Sequence, residues 1–231
     1  MQPLTKPDPL TYKEAYILIG GLSAPSKMPW HSWSTSALDC KTGSKLRKVE
    51  GSTCSKCYAC KGNYTFPVVK QAHARKLEAI NDPRFVEAFV LVLTTLYLKS
   101  SKTYNLDGKP VKENRFRWHD SGDIQSVEHL SMINEIARQT PFLNHWLPTR
   151  EYGMVNSFLR KGNTFSGNLT VRMSAIMMGT GFEEHPMGLP FSTVGFNGEG
   201  VDQCVAYSQG GKCLDCNACW DKEKDVNYPK H

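Results

Sequence analysis

The sequence predicts an α/β fold, either a partial (β/α) barrel or an open parallel sheet, with long cysteine-bearing loops attached. Three observations predict it. Between residues 115 and 174, short apolar runs alternate with helical ones in the order strand, helix, strand, helix, strand, the signature of consecutive βαβ units. Polar and ionisable residues gather where each of those strands ends. Six of the eight cysteines fall in two runs, Cys54-Ser-Lys-Cys57-Tyr-Ala-Cys60 and Cys213-Leu-Asp-Cys216-Asn-Ala-Cys219. At 231 residues the chain is long enough to bury one substantial core, so a single domain over 1–231 is expected, with cysteine-rich loops at 28–66 and 195–221.

In chain order, residues 1–10 are proline-rich and read as an extended arm. Glu14-Ala-Tyr-Ile-Leu-Ile-Gly-Gly reads as a buried strand ending in a glycine turn. The next forty residues or so read mostly as loop, broken by Pro25, Pro29, Gly43 and Gly51. Pro67 then opens a helix through Ile80, and Asp82 and Pro83 start a second from about Arg84 to Lys99. His73 reads as an exposed or packed helix residue rather than a ligand. Residues 100–113 read as a polar connector.

Phe116 to Trp118 is the first strand of the βαβ run, and a helix from about Ser126 to Arg138 follows. Phe142 to Pro148 is the next strand, Met154 to Arg160 a helix, and Asn168 to Ser174 the third strand. Beyond them, Phe191 to Val194 reads as an edge strand, and the charged C-terminus as frayed.

Ligands of parallel α/β sheets bind at the carboxyl ends of the strands. His119, Asp120 and Asp123 follow the first strand, Arg150 and Glu151 the second, and Arg172 and Ser174 lie at the third. His119, Asp120 and Asp123 are therefore the candidate catalytic residues. Arg150, Glu151, Arg172 and Ser174 are candidates for binding a small polar or anionic substrate. Asp120 and Asp123 as helix caps, and Arg150 with Glu151 as a surface pair, are the plain alternatives.

The cysteines carry the sharper signal. Thiolates two residues apart converge across a tight turn, and a third at the same spacing extends the claw. Cys40 lies fourteen residues before the first triplet and Cys204 nine before the second, so each set has a fourth candidate ligand. The candidate metal ligands are thus Cys40, Cys54, Cys57, Cys60, Cys204, Cys213, Cys216 and Cys219. Paired CxxC knuckles suit zinc, whereas successive CxxCxxC runs suit an iron-sulfur cluster. A single centre shared by Cys54, Cys57, Cys216 and Cys219 is a further arrangement.

Composition narrows the setting. The N-terminal segment lacks the apolar core of a signal peptide, and no run reaches the roughly 18 apolar residues of a membrane span. A cytoplasmic protein without membrane contact is expected, where clustered cysteines serve metal chemistry rather than disulfides. The formal charge of +6 is mildly basic, and Lys41, Lys45, Arg47 and Lys48 cluster before the first triplet, leaving nucleic acid open as a partner. The chain has no GxxxxGK and no GxGxxG phosphate loop, against ATP-driven or dinucleotide chemistry.

Four segments, Cys54 to Gly62, Arg117-Trp-His-Asp-Ser-Gly-Asp123, Trp146-Leu-Pro-Thr-Arg-Glu-Tyr152 and Gly211 to Trp220, resemble a family of bacteriophage-encoded cysteine-rich proteins with no settled activity. The likeness spans residues 28–221. In that family the Cys-Tyr-Ala segment looks like the cluster loop of radical SAM enzymes, and the strand-helix repeats look like their partial, TIM-barrel-like scaffold. The resemblance implies a viral protein acting in the infected host cell and one or two 4Fe-4S clusters. It also implies S-adenosylmethionine as a cofactor if one iron stays open. The first cysteine gap is one residue shorter than the CxxxCxxC of radical SAM loops, and no glycine-rich segment for the methionine end of the cofactor is present.

Two function classes follow. One is an iron-sulfur protein, radical-SAM-like or electron-transferring; the other is a zinc-stabilised nucleic-acid-binding protein. A phage structural or host-interaction protein whose metal merely supports the fold is a third.

Overall fold

The computed structural model describes residues 8–104 and 108–230. Most of the extended arm expected at 1–10 lies outside the described residues. The first element is a helix, α1 (Tyr12–Leu18), where a strand was expected. The reason is local: Thr11 accepts from the Glu14 N–H while the Glu14 carboxylate accepts from the Thr11 N–H at 2.8 Å, a capping box that starts a helix.

Strand β1 (Ser32–Trp33) and helix α2 (Lys41–Leu46) interrupt the long loop that follows. Helices α3 (Pro67–Ala79) and α4 (Phe85–Lys99) agree with the reading of the sequence, Pro67 standing in the first turn of α3. The expected connector at 100–113 holds a small antiparallel hairpin, β2 (Lys102–Tyr104) and β3 (Pro110–Lys112). Then come β4 (Arg115–Trp118), α5 (Val127–Gln139), β5 (Asn144–Thr149), α6 (Tyr152–Arg160) and β6 (Leu169–Ser174), the expected βαβ run. Ser126 caps α5 by accepting from the His129 N–H at 3.1 Å.

Strands β7 (Phe191–Val194), β8 (Asp202–Gln203) and β9 (Val226–Tyr228) complete a seven-stranded sheet in the order β1-β4-β5-β6-β7-β9-β8, with every neighbouring pair parallel. Two expectations are corrected here. Phe191 to Val194 is interior, paired with β6 and β9, and the C-terminus supplies β9 instead of fraying. The sheet is open, a partial barrel rather than a closed one.

From β4 to β7 the strands advance in one direction. Parallel crossovers are right-handed, so the connecting helices fall on one face. That face buries Phe116 and Trp118 of β4, Leu147 of β5, and Leu169, Val171 and Met173 of β6. They pack against Ala15 and Ile19 of the α1 turn, Phe85, Phe89 and Leu93 of α4, Leu130 and Ile133 of α5, and Phe158 of α6. Each large apolar side chain buried there contributes roughly 1.5–3 kcal/mol.

Alternation along the strands sends Arg115, Arg117, Trp146, Thr170 and Arg172 to the opposite face. Among the described residues no α-helix covers it; the cysteine-rich tail does, with the short 3-10 turn Ala218–Trp220 against β5 and β6. Trp220 and Met28 pack with Trp146 there, joined by Cys213, Cys219 and Tyr228. Among the described residues no helix is long and apolar enough to cross a membrane.

Candidate functional site

The first cysteine loop lies across the carboxyl ends of the strands. Cys40 stands at the start of α2, and that helix is tied to the β5 end by Glu151, whose two carboxylate oxygens accept from the Thr42 N–H and the Thr42 hydroxyl, each at 2.7 Å. Farther along, the Thr53 N–H donates to the Ile176 carbonyl at 2.8 Å and its hydroxyl to the Ala175 carbonyl at 3.0 Å, anchoring the loop beyond β6. Each CxxC step is a hydrogen-bonded turn: Cys57 N–H donates to Cys54 O and Cys60 N–H to Cys57 O, both at 3.2 Å.

These turns bring thiols together. A Cβ added to Gly43 would lie 3.0 Å from Cys40 Cβ and 3.5 Å from both the Cys40 and Cys54 sulfurs, so this glycine leaves a small cradle between two thiols. Burial pushes the Cys40, Cys54 and Cys57 thiols up from their ordinary range. The Asp123 charge adds to the rise at Cys40, while the Arg150 guanidinium opposes it at Cys54.

Asp120, Asp123, Arg150 and Glu151 all stand on this face. Asp123 is buried and accepts from the Thr149 hydroxyl at 2.6 Å, the Ile124 N–H at 2.8 Å and the Arg150 N–H at 2.9 Å, stitching the β4 end to the β5 end. Burial raises its carboxyl to about 6, against the lowering effect of those hydrogen bonds. Asp120 accepts from the hydroxyls of Ser32 at 2.9 Å, Tyr64 at 3.1 Å and Ser34, and its backbone carbonyl accepts from the Tyr58 hydroxyl. Arg150 Nε donates to the Ala175 carbonyl at 3.2 Å.

Of the other three residues expected here, His119 and Arg172 turn away from this face, whereas Ser174 closes β6 where it is expected. His119 has a left-handed backbone (φ 54°), and its ring packs into the apolar helix side against Trp33 at 5.9 Å and His129 at 5.6 Å. Burial holds that imidazole's pKa well below the usual histidine value, against the raising effect of the Ser121 backbone. Arg172 is fully buried on the tail face, where its guanidinium donates to the carbonyls of Phe191, Lys224, Ala218, Cys219 and Asp221 at 2.5–3.5 Å. Its two terminal nitrogens are taken up by the tail and by β7. Ser174 is buried at the end of β6, its hydroxyl 3.3 Å from that of Ser192.

The second cysteine set is separate. The thiols acting on Cys40 are Cys54 and Cys57, whereas those acting on Cys213 are Cys204 and Cys216. Arg115 fixes the second triplet by donating to the carbonyls of Leu214 at 2.8 Å and Cys216 at 3.0 Å, and Thr170 donates to the Trp220 carbonyl at 2.8 Å. Burial raises Cys219 to about 11, partly offset by the hydrogen bond to Tyr228 at 3.2 Å and by the Arg172 and Arg117 charges. Arg117 itself lies over the Trp146 ring at 4.5 Å. All eight cysteines are unbridged. Among the described residues, no three His, Cys, Asp or Glu side chains stand close enough to hold a metal ion as they are.

Sequence reasoning missed Thr42, whose partner Glu151 is 109 positions away, and the pair Tyr58 and Tyr64. The tyrosine between two cysteines was visible; its anchoring to Asp120 was not. His73 is buried in the structure, stacked on Tyr64 at 6.2 Å and 3.3 Å from the Ser121 hydroxyl.

A family model described as gene product 88 matches residues 2–222. The chain belongs to the gene product 88 family. In this member of the family the match spans both cysteine triplets and every strand-end residue described above. No curated protein and no solved structure matches the chain.

Proposed function

We propose that the chain is an iron-sulfur protein that holds a 4Fe-4S cluster through Cys40, Cys54, Cys57 and Cys60 above the carboxyl ends of its sheet, and that it binds a small polar or anionic ligand there. One observation carries the reading: the cysteine loop is docked by Glu151 and Thr53 onto the face where parallel α/β sheets bind their ligands. The cradle at Gly43 gives room between the Cys40 and Cys54 sulfurs.

The spacing of thiols bears on the kind of metal. A lone tetrahedral zinc with bonds of about 2.3 Å draws its sulfurs to within roughly 4 Å of one another. A cubane needs its ligands farther apart, which successive CxxCxxC runs suit. When bound, such a cluster supplies one-electron chemistry. Arg150, beside Cys54, orients an anionic ligand, and Asp120, Asp123 and Glu151 hold the loops that frame it.

A ligand set of Cys40, Cys54 and Cys57 makes S-adenosylmethionine the accompanying cofactor and the protein a radical-SAM-like enzyme. With Cys60 as fourth ligand, the protein is an electron carrier. Cys204, Cys213, Cys216 and Cys219 form the second cluster set. We place the protein in the cytoplasm of a phage-infected cell.

Anaerobic purification followed by iron, sulfide and zinc analysis tests this. The expected preparation is brown, absorbs near 400 nm, and loses about half its iron in either Cys57→Ser or Cys216→Ser and nearly all in the double variant. Stoichiometric zinc in a colourless protein overturns the reading in favour of a zinc-stabilised one.

A further inference from the structure

Beside the first triplet, outside the thiols, lies an open cavity of about 430 Å³ lined by Lys56, Tyr58, Lys61, Gly62, Asn63 and Tyr64. Tyr58 is 52% exposed, although its hydroxyl is tied to the Asp120 backbone carbonyl. Tyr64 is anchored from the other side, its hydroxyl on the Asp120 carboxylate at 3.1 Å and its ring stacked on His73. The two tyrosine rings meet at 5.8 Å and 62°, so the exposed ring is braced by the half-buried one.

An exposed ring held this rigidly is unusual for solvent contact alone. It presents a flat apolar face already fixed in place, so a planar partner meets little ordering cost. Lys56 and Lys61 are exposed and line the same cavity, and neither side-chain ammonium has an ion pair or hydrogen bond among the described residues. The site therefore offers a stacking face beside two free cations. Gly62, with φ 55° and open space around it, lets the backbone turn without closing the cavity.

The basic character continues along the chain. The turn at Ala37–Asp39 packs against the Tyr58–Cys60 turn and leads directly into α2, which brings Lys41 and Lys45, with Arg47 and Lys48 following it. Stacking faces interleaved with cations along a groove are how proteins bind unpaired nucleotides, whose bases have free faces and whose phosphates repeat at short intervals. A duplex hides those faces.

We propose that this cavity is a binding site for single-stranded nucleic acid, with a base stacked on Tyr58 and flanking phosphates on Lys56 and Lys61. The site is built from side chains other than thiols, so it stands whichever metal the cysteines hold.

The test measures fluorescence anisotropy of a labelled single strand of about a dozen nucleotides, as DNA and as RNA, titrated with full-length protein purified anaerobically. A duplex and free AMP serve as competitors. The single strand is expected to bind at least about tenfold more tightly than the duplex, with Tyr58→Ala weakening it about tenfold and Tyr58→Phe retaining it. Lys56→Ala/Lys61→Ala should reduce the salt slope by about 1.4, the value for two released counterions on a single strand. Circular dichroism and metal content of each variant separate lost binding from lost folding. Equal binding of duplex and single strand, or Tyr58→Ala and the double lysine variant, both folded, binding within about twofold of the parent, overturns the proposal. AMP competing as well as the strand, nucleotide for nucleotide, overturns the strand as the ligand.

Discussion

Glu151 grips Thr42 twice, through the backbone N–H and the side-chain hydroxyl, both at 2.7 Å. The pair joins the end of β5 to the helix that begins just after Cys40, so the position of a candidate ligand depends on a carboxylate 111 positions later in the chain. Glu151→Ala is expected to cost about 3 kcal/mol in urea denaturation, because two hydrogen bonds to a buried charged acceptor are lost together. Thr42→Val, which keeps the N–H bond, should cost about half as much. Equal stability of both variants and the parent would show that the contact is idle.

Gly43→Ala separates fold from metal. Alanine improves helix propensity in α2 by up to about 1 kcal/mol. Its methyl, however, would sit 3.5 Å from the sulfurs of Cys40 and Cys54. The methyl also crowds the Cys40 Cβ at 3.0 Å, which offsets the helix gain, so the expected variant still folds yet carries less iron per chain after anaerobic reconstitution. Full loading would mean that the space between these sulfurs is not used.

Arg172→Met removes the donors to four tail carbonyls and to the Phe191 carbonyl of β7. Loss of a buried cation bonded through both terminal nitrogens is expected to cost about 3–5 kcal/mol. Limited proteolysis should then cut within residues 204–224 first. Arg172→Lys should not rescue, since an ammonium cannot reproduce the planar fork that spans these carbonyls. A lysine variant as resistant to protease as the parent contradicts this account.

Acid should unfold the protein through its buried histidines. Trp118 Nε1 donates to His145 Nδ1 at 3.2 Å, which leaves Nε2–H of a neutral ring to face the Thr140 hydroxyl at 2.9 Å. Burial lowers both His145 and His129 to about 3. The unfolded chain takes up these protons near pH 6.5, whereas the folded chain resists them. Their contribution is therefore complete above pH 6.5 and lost as the pH falls toward 3, at up to about 1.4 kcal/mol per pH unit for each ring. Urea midpoints at pH 7, 5.5 and 4.5 measure the slope. His145→Leu, though less stable at pH 7, should show a shallower one.

The βαβ run was legible because its strands are apolar and its helices carry helical spacing, both local properties of residues 115–174. Helix α1 was misread from a short apolar run, Ala-Tyr-Ile-Leu-Ile, which periodicity alone does not assign. Its true marker was Thr11 with Glu14 three residues on. Strands β1 and β8 have two residues each and β9 three, too few to carry a pattern, and they exist only because neighbours pair with them. The site divides in the same way. Asp120, Asp123, Arg150 and Glu151 were found by their place after strands. The inward turn of His119 rests on a left-handed backbone, and the task of Arg172 on a tail 46 positions away, neither of which a local reading contains.

A sheet wound in one direction has an inside that its own helices never reach. A closed barrel fills that space with side chains from opposing strands; here a plug must come from elsewhere in the chain. The inside carries Arg115, Thr170 and Arg172, so the plug has to supply acceptors. A helix has already spent nearly all of its carbonyls on itself, whereas a string of cysteine turns keeps many of them spare. The irregular C-terminal segment thus suits a polar hollow in a way that an added helix would not.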